Sequence, residues 1–260
     1  DHSWMEFPST TNAGGTILIT DPGTEWDGEG GGSKVTFGHA SGTGSVTVRV
    51  ANAAVMTCGN APENDGGVGF ENDCTFILDD ASFGFCSAVG SEYMTVFSGG
   101  KVTGNGLLFE IADFNSTLFM KGTLAPGLSV GTITAKVNVV NMLEPSSILQ
   151  AELVSTTSYD QFVVTDAGNP TTVNLDSDAR VEVTPLNPET LTLMIGDTFD
   201  LILADNVDVS GGLPSLSFQG PQAASFAGTL TEVAGTPEAL RLTLTLAPLP
   251  PPTGTVVTLK

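Results

Sequence analysis

Positive charge is what this chain has least of. Only 8 Lys and Arg stand against 29 Asp and Glu, for a formal charge of −21 in 260 residues. The basic residues (Lys34, Arg49, Lys101, Lys121, Lys136, Arg180, Arg241 and Lys260) are spread singly. No basic patch exists to neutralise phosphates, which argues against nucleic acid and anionic lipid as partners. Histidine is scarcer still. His2 and His39 stand alone, so a histidine-built metal site is not expected. No apolar run approaches the ~18 residues of a membrane-spanning helix. Nor does any window of ~11 residues keep helical apolar spacing free of Gly, Pro or β-branched runs. Disorder is excluded by the opposite measure: 40% of residues are hydrophobic and the mean hydropathy is +0.18, too apolar for an acidic tail.

Cysteine is also sparse, with Cys58, Cys74 and Cys86 in one loop-rich third of the chain and no paired zinc spacing. Two readings stay open: three buried thiols, or one disulfide and a leftover thiol. The expected pair is Cys74–Cys86, with Cys58–Cys74 as its rival. The opening Asp1-His2-Ser3-Trp4 reads as a chain from which a leader has been removed, which places it in an extracellular or cell-surface setting.

What the chain has in quantity is short alternating segments. Val46, Val48 and Val50 alternate with Thr47 and Arg49, and Ile133, Ala135, Val137 and Val139 with Thr134, Lys136 and Asn138. Leu149, Ala151 and Leu153 alternate with Gln150 and Glu152, and Leu240, Leu242, Leu244 and Leu246 with Arg241, Thr243 and Thr245. Each segment predicts a strand with one buried face. Leu191, Leu193 and Leu201 join these residues as expected core. The 31 Gly and 15 Pro punctuate them as turns. A loose repeat of small–x–apolar–x–apolar recurs at Gly15–Ile19, Gly44–Val48 and Ser91–Val96. A short strand and a tight turn are what one side of a solenoid coil needs, and neighbouring coils must stack to bury it.

Residues 99–205 carry a more specific pattern. Gly99-Gly100-Lys101-Val102-Thr103-Gly104-Asn105-Gly106 is followed by the turn Gly122-Thr123-Leu124-Ala125-Pro126-Gly127-Leu128-Ser129-Val130-Gly131-Thr132-Ile133. Then come Ser147-Ile148-Leu149-Gln150-Ala151-Glu152-Leu153, Tyr159-Asp160-Gln161-Phe162-Val163-Val164 and Gly196-Asp197-Thr198-Phe199-Asp200-Leu201-Ile202. These blocks, in this order, resemble the C-terminal part of autotransporter passenger domains and related bacterial surface proteins sorted by PEP-CTERM signals. The resemblance implies an all-β, right-handed parallel β-helix, secretion and surface exposure, and no catalytic residues. It departs from the family in offering neither a membrane barrel nor a sorting tail within these residues, so anchoring by another route, or release, is expected. The expected organisation is N-terminal coils over 1–125, passenger-like coils over 126–246 and a Pro-rich spacer with a terminal strand over 247–260.

Several motifs carry chemistry elsewhere. Gly127-Leu128-Ser129-Val130-Gly131 matches the hydrolase nucleophile elbow, but that motif needs a helix after it and a later His; a strand-like run follows, and no His lies beyond His39. Gly66-Gly67-Val68-Gly69-Phe70-Glu71-Asn72-Asp73 half-matches a calcium-binding nonapeptide, in a single copy. Asp21, Glu25, Asp27 and Glu29 are candidate calcium ligands in a Gly-rich loop, with a solvated acidic loop the favoured reading. Asp79-Asp80 has Lys101 as the nearest base C-terminal to it, too remote to suggest a β-helix lyase or glycosidase pair. Asn115-Ser116-Thr117 is a formal glycosylation sequon.

The expected function is extracellular and structural or adhesive, without catalysis or resident cofactor. Self-assembly into a filament or surface layer is expected through stacked coils and addition of the terminal strand Thr255, Val256, Val257, Thr258 and Leu259, carried on the stiff Pro248–Pro252 spacer. Partners are further copies of the chain and cell-surface glycans. A polysaccharide-active β-helix enzyme and a glycan-binding spike are the alternatives.

Overall fold

The computed structural model describes residues 5–7, 14–28, 35–38, 44–58, 68–71, 73–85, 94–110, 117–166, 168–186 and 193–247, with the backbone alone for Met5–Phe7, Glu25–Gly28 and Glu110. Among them there is no α-helix, only the three-residue 3-10 turn Ala223–Ser225. Among the described residues no helix is long and apolar enough to cross a membrane.

The strands wind as coils with three sides. The first coil is β1 (Met5–Phe7), β2 (Gly15–Ile19) and β3 (Glu25–Gly28); the second is β4 (Val35–Phe37), β5 (Val46–Ala51) and β6 (Val55–Cys58). In the third, β7 (Val68–Phe70) precedes β8 (Cys74–Phe85), which runs on across two sides. The fourth repeats this with β9 (Met94–Val96) and β10 (Lys101–Glu110). The fifth is β11 (Thr117–Met120), β12 (Thr123–Pro126) and β13 (Thr132–Lys136). The sixth is β14 (Val139–Met142), β15 (Ile148–Ser155), the short excursion β16 (Ser158–Tyr159) and β17 (Gln161–Thr165). The seventh is β18 (Thr172–Asp176), β19 (Arg180–Pro185) and β20 (Thr198–Ala204). The last level has β21 (Asn206–Gly211) and β22 (Ser215–Phe218), then β23 (Ala227–Val233) and β24 (Glu238–Leu246) as an antiparallel hairpin.

Each strand pairs with its counterpart in the next coil. The first side is the sheet β1-β4-β7-β9-β11-β14-β18-β21; the second stacks β2, β5, β8, β10, β12, β15, β19 and β22. The third stacks β3, β6, β8, β10, β13, β17 and β20, ending in β24 and β23. All pairings are parallel except β15–β16, β20–β24 and β23–β24. The architecture is a parallel β-helix. Coil length, counted between the starts of first-side strands, varies from 22 residues (Thr117 to Val139) to 34 (Thr172 to Asn206), which is why the sequence repeat looks irregular.

Inward side chains form ladders along the axis. One second-side row is Val48, Phe76, Val102, Leu124, Leu149 and Val181, in register and all buried. Phe37, Phe70, Phe76 and Phe83 fill the second and third coils, with Phe37 and Phe70 stacked at 5.5 Å. A single core cluster extends from Ile19 to Ala247. The expected core residues Val46, Val48, Val50, Ile133, Val137, Leu149, Leu153, Leu193, Leu201, Leu242 and Leu244 are all buried; Leu191 lies outside the described residues.

Two expected alternations need correction. Val139 does not continue the inward row of Ile133, Ala135 and Val137: β13 ends at Lys136, the chain turns a corner at Val137 and Asn138, and Val140 points inward instead. At that corner Asn138 is itself buried and donates to Asp166 Oδ2 (2.8 Å). Leu246 does not join the inward row of β24 and is 45% exposed. The backbone bonds of β24 on this side end at Leu244, which pairs with Gly196 and Asp197 just before β20, and Leu246 lies past the last of them.

The C-terminal end is closed by a device the sequence did not suggest. Beneath β22, Phe226 stacks on Phe218 at 5.8 Å and is 5% exposed, and Leu230 of β23 is buried beside the core. A hairpin, not a further coil, covers the last apolar layer.

Candidate functional site

The second side presents a polar outer face. Where the chain crosses from second to third side, the connection changes down the stack. β8 and β10 simply run through, whereas residues 127–131 intervene in the fifth coil and 156–160, carrying β16, in the sixth. These connections wall off part of the second-side face and create a trough of about 430 Å³. Lys101 of β10, Gln150 and Glu152 of β15, Glu182 of β19 and Gln219, just past β22, line it, with Pro126 and Leu128 as an apolar wall.

The wall is fixed by one buried carboxylate. Asp160, 2% exposed, accepts the Gly131 N–H on Oδ1 (2.7 Å) and the Glu152 N–H on Oδ2 (2.8 Å). Burial pushes its pKa up to about 7, against the pull of those two backbone donors, and the nearby Glu152 adds to the rise. Asn105 Oδ1 accepts the Thr132 N–H (3.1 Å), and Thr103 Oγ1 donates to the Gly127 carbonyl (3.1 Å). Both glycines of this turn are needed. Gly127 has φ +90°, and a Cβ on Gly131 would lie 1.5 Å from Asn105 Oδ1. The G-x-S-x-G segment is therefore a clamped corner, and it leads into strand β13 instead of a helix.

Across the floor, side chains are tied from coil to coil. Lys101 Nζ donates to Gln150 Oε1 (3.0 Å), and Gln150 Nε2 donates to Glu182 Oε2 (3.1 Å). Arg180 pairs with the other Glu182 oxygen at 3.8 Å. Glu152 keeps one carboxylate oxygen, Oε2, buried without a hydrogen-bond partner. Burial raises its pKa, and Lys101 pulls it back down. These contacts tie the side chains into an array of donors and acceptors.

The residues singled out from the sequence fall elsewhere. Asp21 occupies the turn between β2 and β3 at φ +83°. Glu25 and Asp27 stand two apart on β3, and Glu29 lies outside the described residues. No cluster of three or more potential metal ligands occurs among the described residues. Of the half-matched nonapeptide, Val68–Phe70 is strand β7 and Asp73 sits at φ +60°. Asp79 has a basic partner after all: coil stacking brings Arg49 across from β5, and its guanidinium donates to Asp79 Oδ2. Asp80 takes the left-handed corner position at φ +51°. Cys58 and Cys74 are buried, and Cys74 is unbridged, its pKa pushed up to about 12 by burial. Cys86, its expected partner, and the assembly strand Thr255–Leu259 lie outside the described residues.

The trough itself was not anticipated. Its residues are 101, 150, 152, 182 and 219, with coil-to-coil offsets of unequal length, so no fixed spacing marks them. The sequence signal was that Lys101, Gln150, Glu152 and Asp160 lie in the blocks resembling passenger domains. Comparison with protein-family models finds no match, and comparison with curated proteins finds none either.

Proposed function

We propose that this chain is an extracellular structural and adhesive protein, a stiff β-helical rod that joins further copies of itself end to end. The observation that supports it most is the direction of the terminal edges. Among the described strands, β1, β2 and β3 at one end and β21, β22 and β23 at the other each pair on one side only. All six run the same way along their sides, since two antiparallel steps (β20 to β24 to β23) restore the original direction. A strand edge of this kind templates further pairing. The hairpin closes the core at one end but leaves a hydrogen-bonding edge on β23. Because it adds one extra strand level to the third side, a neighbour does not seat flat as another coil. Addition of a separate strand, the role assigned to Thr255–Leu259, suits such an end better. The acidic, passenger-like sequence supports surface exposure. Sedimentation velocity of the full chain and of a form lacking residues 248–260 tests the reading. Large assemblies lost on deletion are expected; a full chain that stays a monomer at high concentration overturns it.

A second reading is favoured by one feature. Glu152 and Asp160 are neighbouring carboxyl groups with raised pKa values beside a cavity, as acid–base hydrolysis of a glycoside needs. Release of new reducing ends from a polysaccharide panel would support it. No release, with wild-type and Glu152→Gln protein alike, would leave the structural reading in place.

A further inference from the structure

We infer that the second-side trough binds a linear, uncharged polysaccharide lying along the coil axis. This holds for a single chain and does not require the assembly proposed above. The floor spans five levels, crossing β10, β12, β15 and β19 and ending at Gln219 just past β22; the backbone groups of these strands face one another along the side, so a peptide strand cannot add to this face. Only side chains read what lies there. Lys101 and Gln150 stand two strands apart and Gln150 and Glu182 one strand apart, so these side chains fall at multiples of the inter-strand spacing of ~4.8 Å, which is close to the length of one sugar unit in an extended chain. Lys101, Gln150 and Glu182 are joined in one hydrogen-bonded row. Each keeps spare capacity: ammonium protons on Lys101, an amide proton on Gln150, lone pairs on Glu182. A row offering donors from Lys101 and Gln150 and acceptors from Glu182 matches vicinal hydroxyls, which are both. Pro126 and Leu128 supply the apolar wall against which the C–H face of a sugar ring packs. The cavity of about 430 Å³ is within the usual range for ligand sites.

Charge selects the kind of polymer. Glu152 and Glu182 outnumber Lys101 in the lining even without Asp160, and the chain as a whole carries −21. Uronate and sulfated chains are repelled by this field, so the ligand is neutral.

Isothermal titration of the full chain with cello-, manno- and N-acetylchito-oligosaccharides of one to six units, and with polygalacturonate, tests the inference. At least one neutral series is expected to bind, with affinity climbing per added sugar and levelling near five units, one per strand. Gln150→Ala and Lys101→Met, the latter keeping the side-chain stem, are each expected to weaken binding about tenfold. Lys136→Ala, on the third side, leaves it unchanged. Melting curves identify any variant that is unfolded, in which case the other variant decides. Absence of binding by every neutral series overturns the inference. So does polygalacturonate binding as tightly, or full affinity in both folded trough variants. None of these results bears on sedimentation, so the assembly reading stands or falls separately.

Discussion

Asp160 binds two backbone N–H groups and is nevertheless held at a pKa of about 7 by burial. Since the ordinary carboxylate value is 3.8, the native state keeps this proton where the unfolded chain has lost it. Stability from this group is therefore greatest below about pH 4 and falls as pH rises to about 7. Urea unfolding at pH 5 and pH 8 should show the full chain weaker at pH 8. Asp160→Asn should lose that part of the pH dependence, and at pH 5 it should cost about 1–3 kcal/mol, because one backbone N–H is left without an acceptor. An unchanged pH slope in the variant would contradict this assignment. Gly131→Ala drives a methyl into Asn105 and should cost about 1–3 kcal/mol, read by the same melts. At Cys74 the buried, unbridged thiol should ignore a thiol reagent in native protein and react only on denaturation. Labelling the denatured but unreduced chain and mapping the labelled peptides checks this: Cys74 should be among the reactive thiols, and a Cys74 that reacts only after reduction would contradict the assignment.

At the scale of elements, the hairpin β23–β24 decides how the rod ends. It is held by the row Leu240, Leu242 and Leu244 and latched by Arg241, whose Nε and Nη2 donate to the two oxygens of Asp200. Beside the latch, Tyr159 meets Phe199 edge to face at 5.3 Å. The latch is partly solvated, so Arg241→Ala should cost no more than about 1 kcal/mol. Phe226→Ala, which empties the cap of the core, should cost about 3–5 kcal/mol; chemical denaturation distinguishes the two. The strands β5, β15 and β24 were legible in the sequence because strict alternation survives inside a strand. What alternation cannot carry is the corner: Val139 was misplaced because two corner residues, Val137 and Asn138, reset which face is inward. The antiparallel hairpin was invisible for a related reason, since Leu240–Leu246 alternates identically whichever way it runs. The trough residues were hidden by coil lengths that vary from 22 to 34 residues, which scrambles the spacing of side chains that end up one above another. The pair Arg49–Asp79 shows the same effect over a separation of 30 residues.

The whole molecule is a column of coils whose hydrogen bonds run along its axis, with seven complete levels and a closing one. At ~4.8 Å per level, the described coils form a rod roughly 35 Å long. Its interior is a continuous apolar cluster and its three outer sides are free to differ. One side carries the polar trough, and the two ends carry strand edges that point the same way. Such a body is suited to join others along its length while presenting one face to a polymer, which links the proposed assembly to the proposed adhesion. Electron microscopy of the purified full chain tests this most directly. Filaments one rod wide, with the axial repeat of one chain, are expected, and they should disappear when residues 248–260 are removed. A field of separate single-chain particles, at concentrations where the protein remains folded, would contradict it.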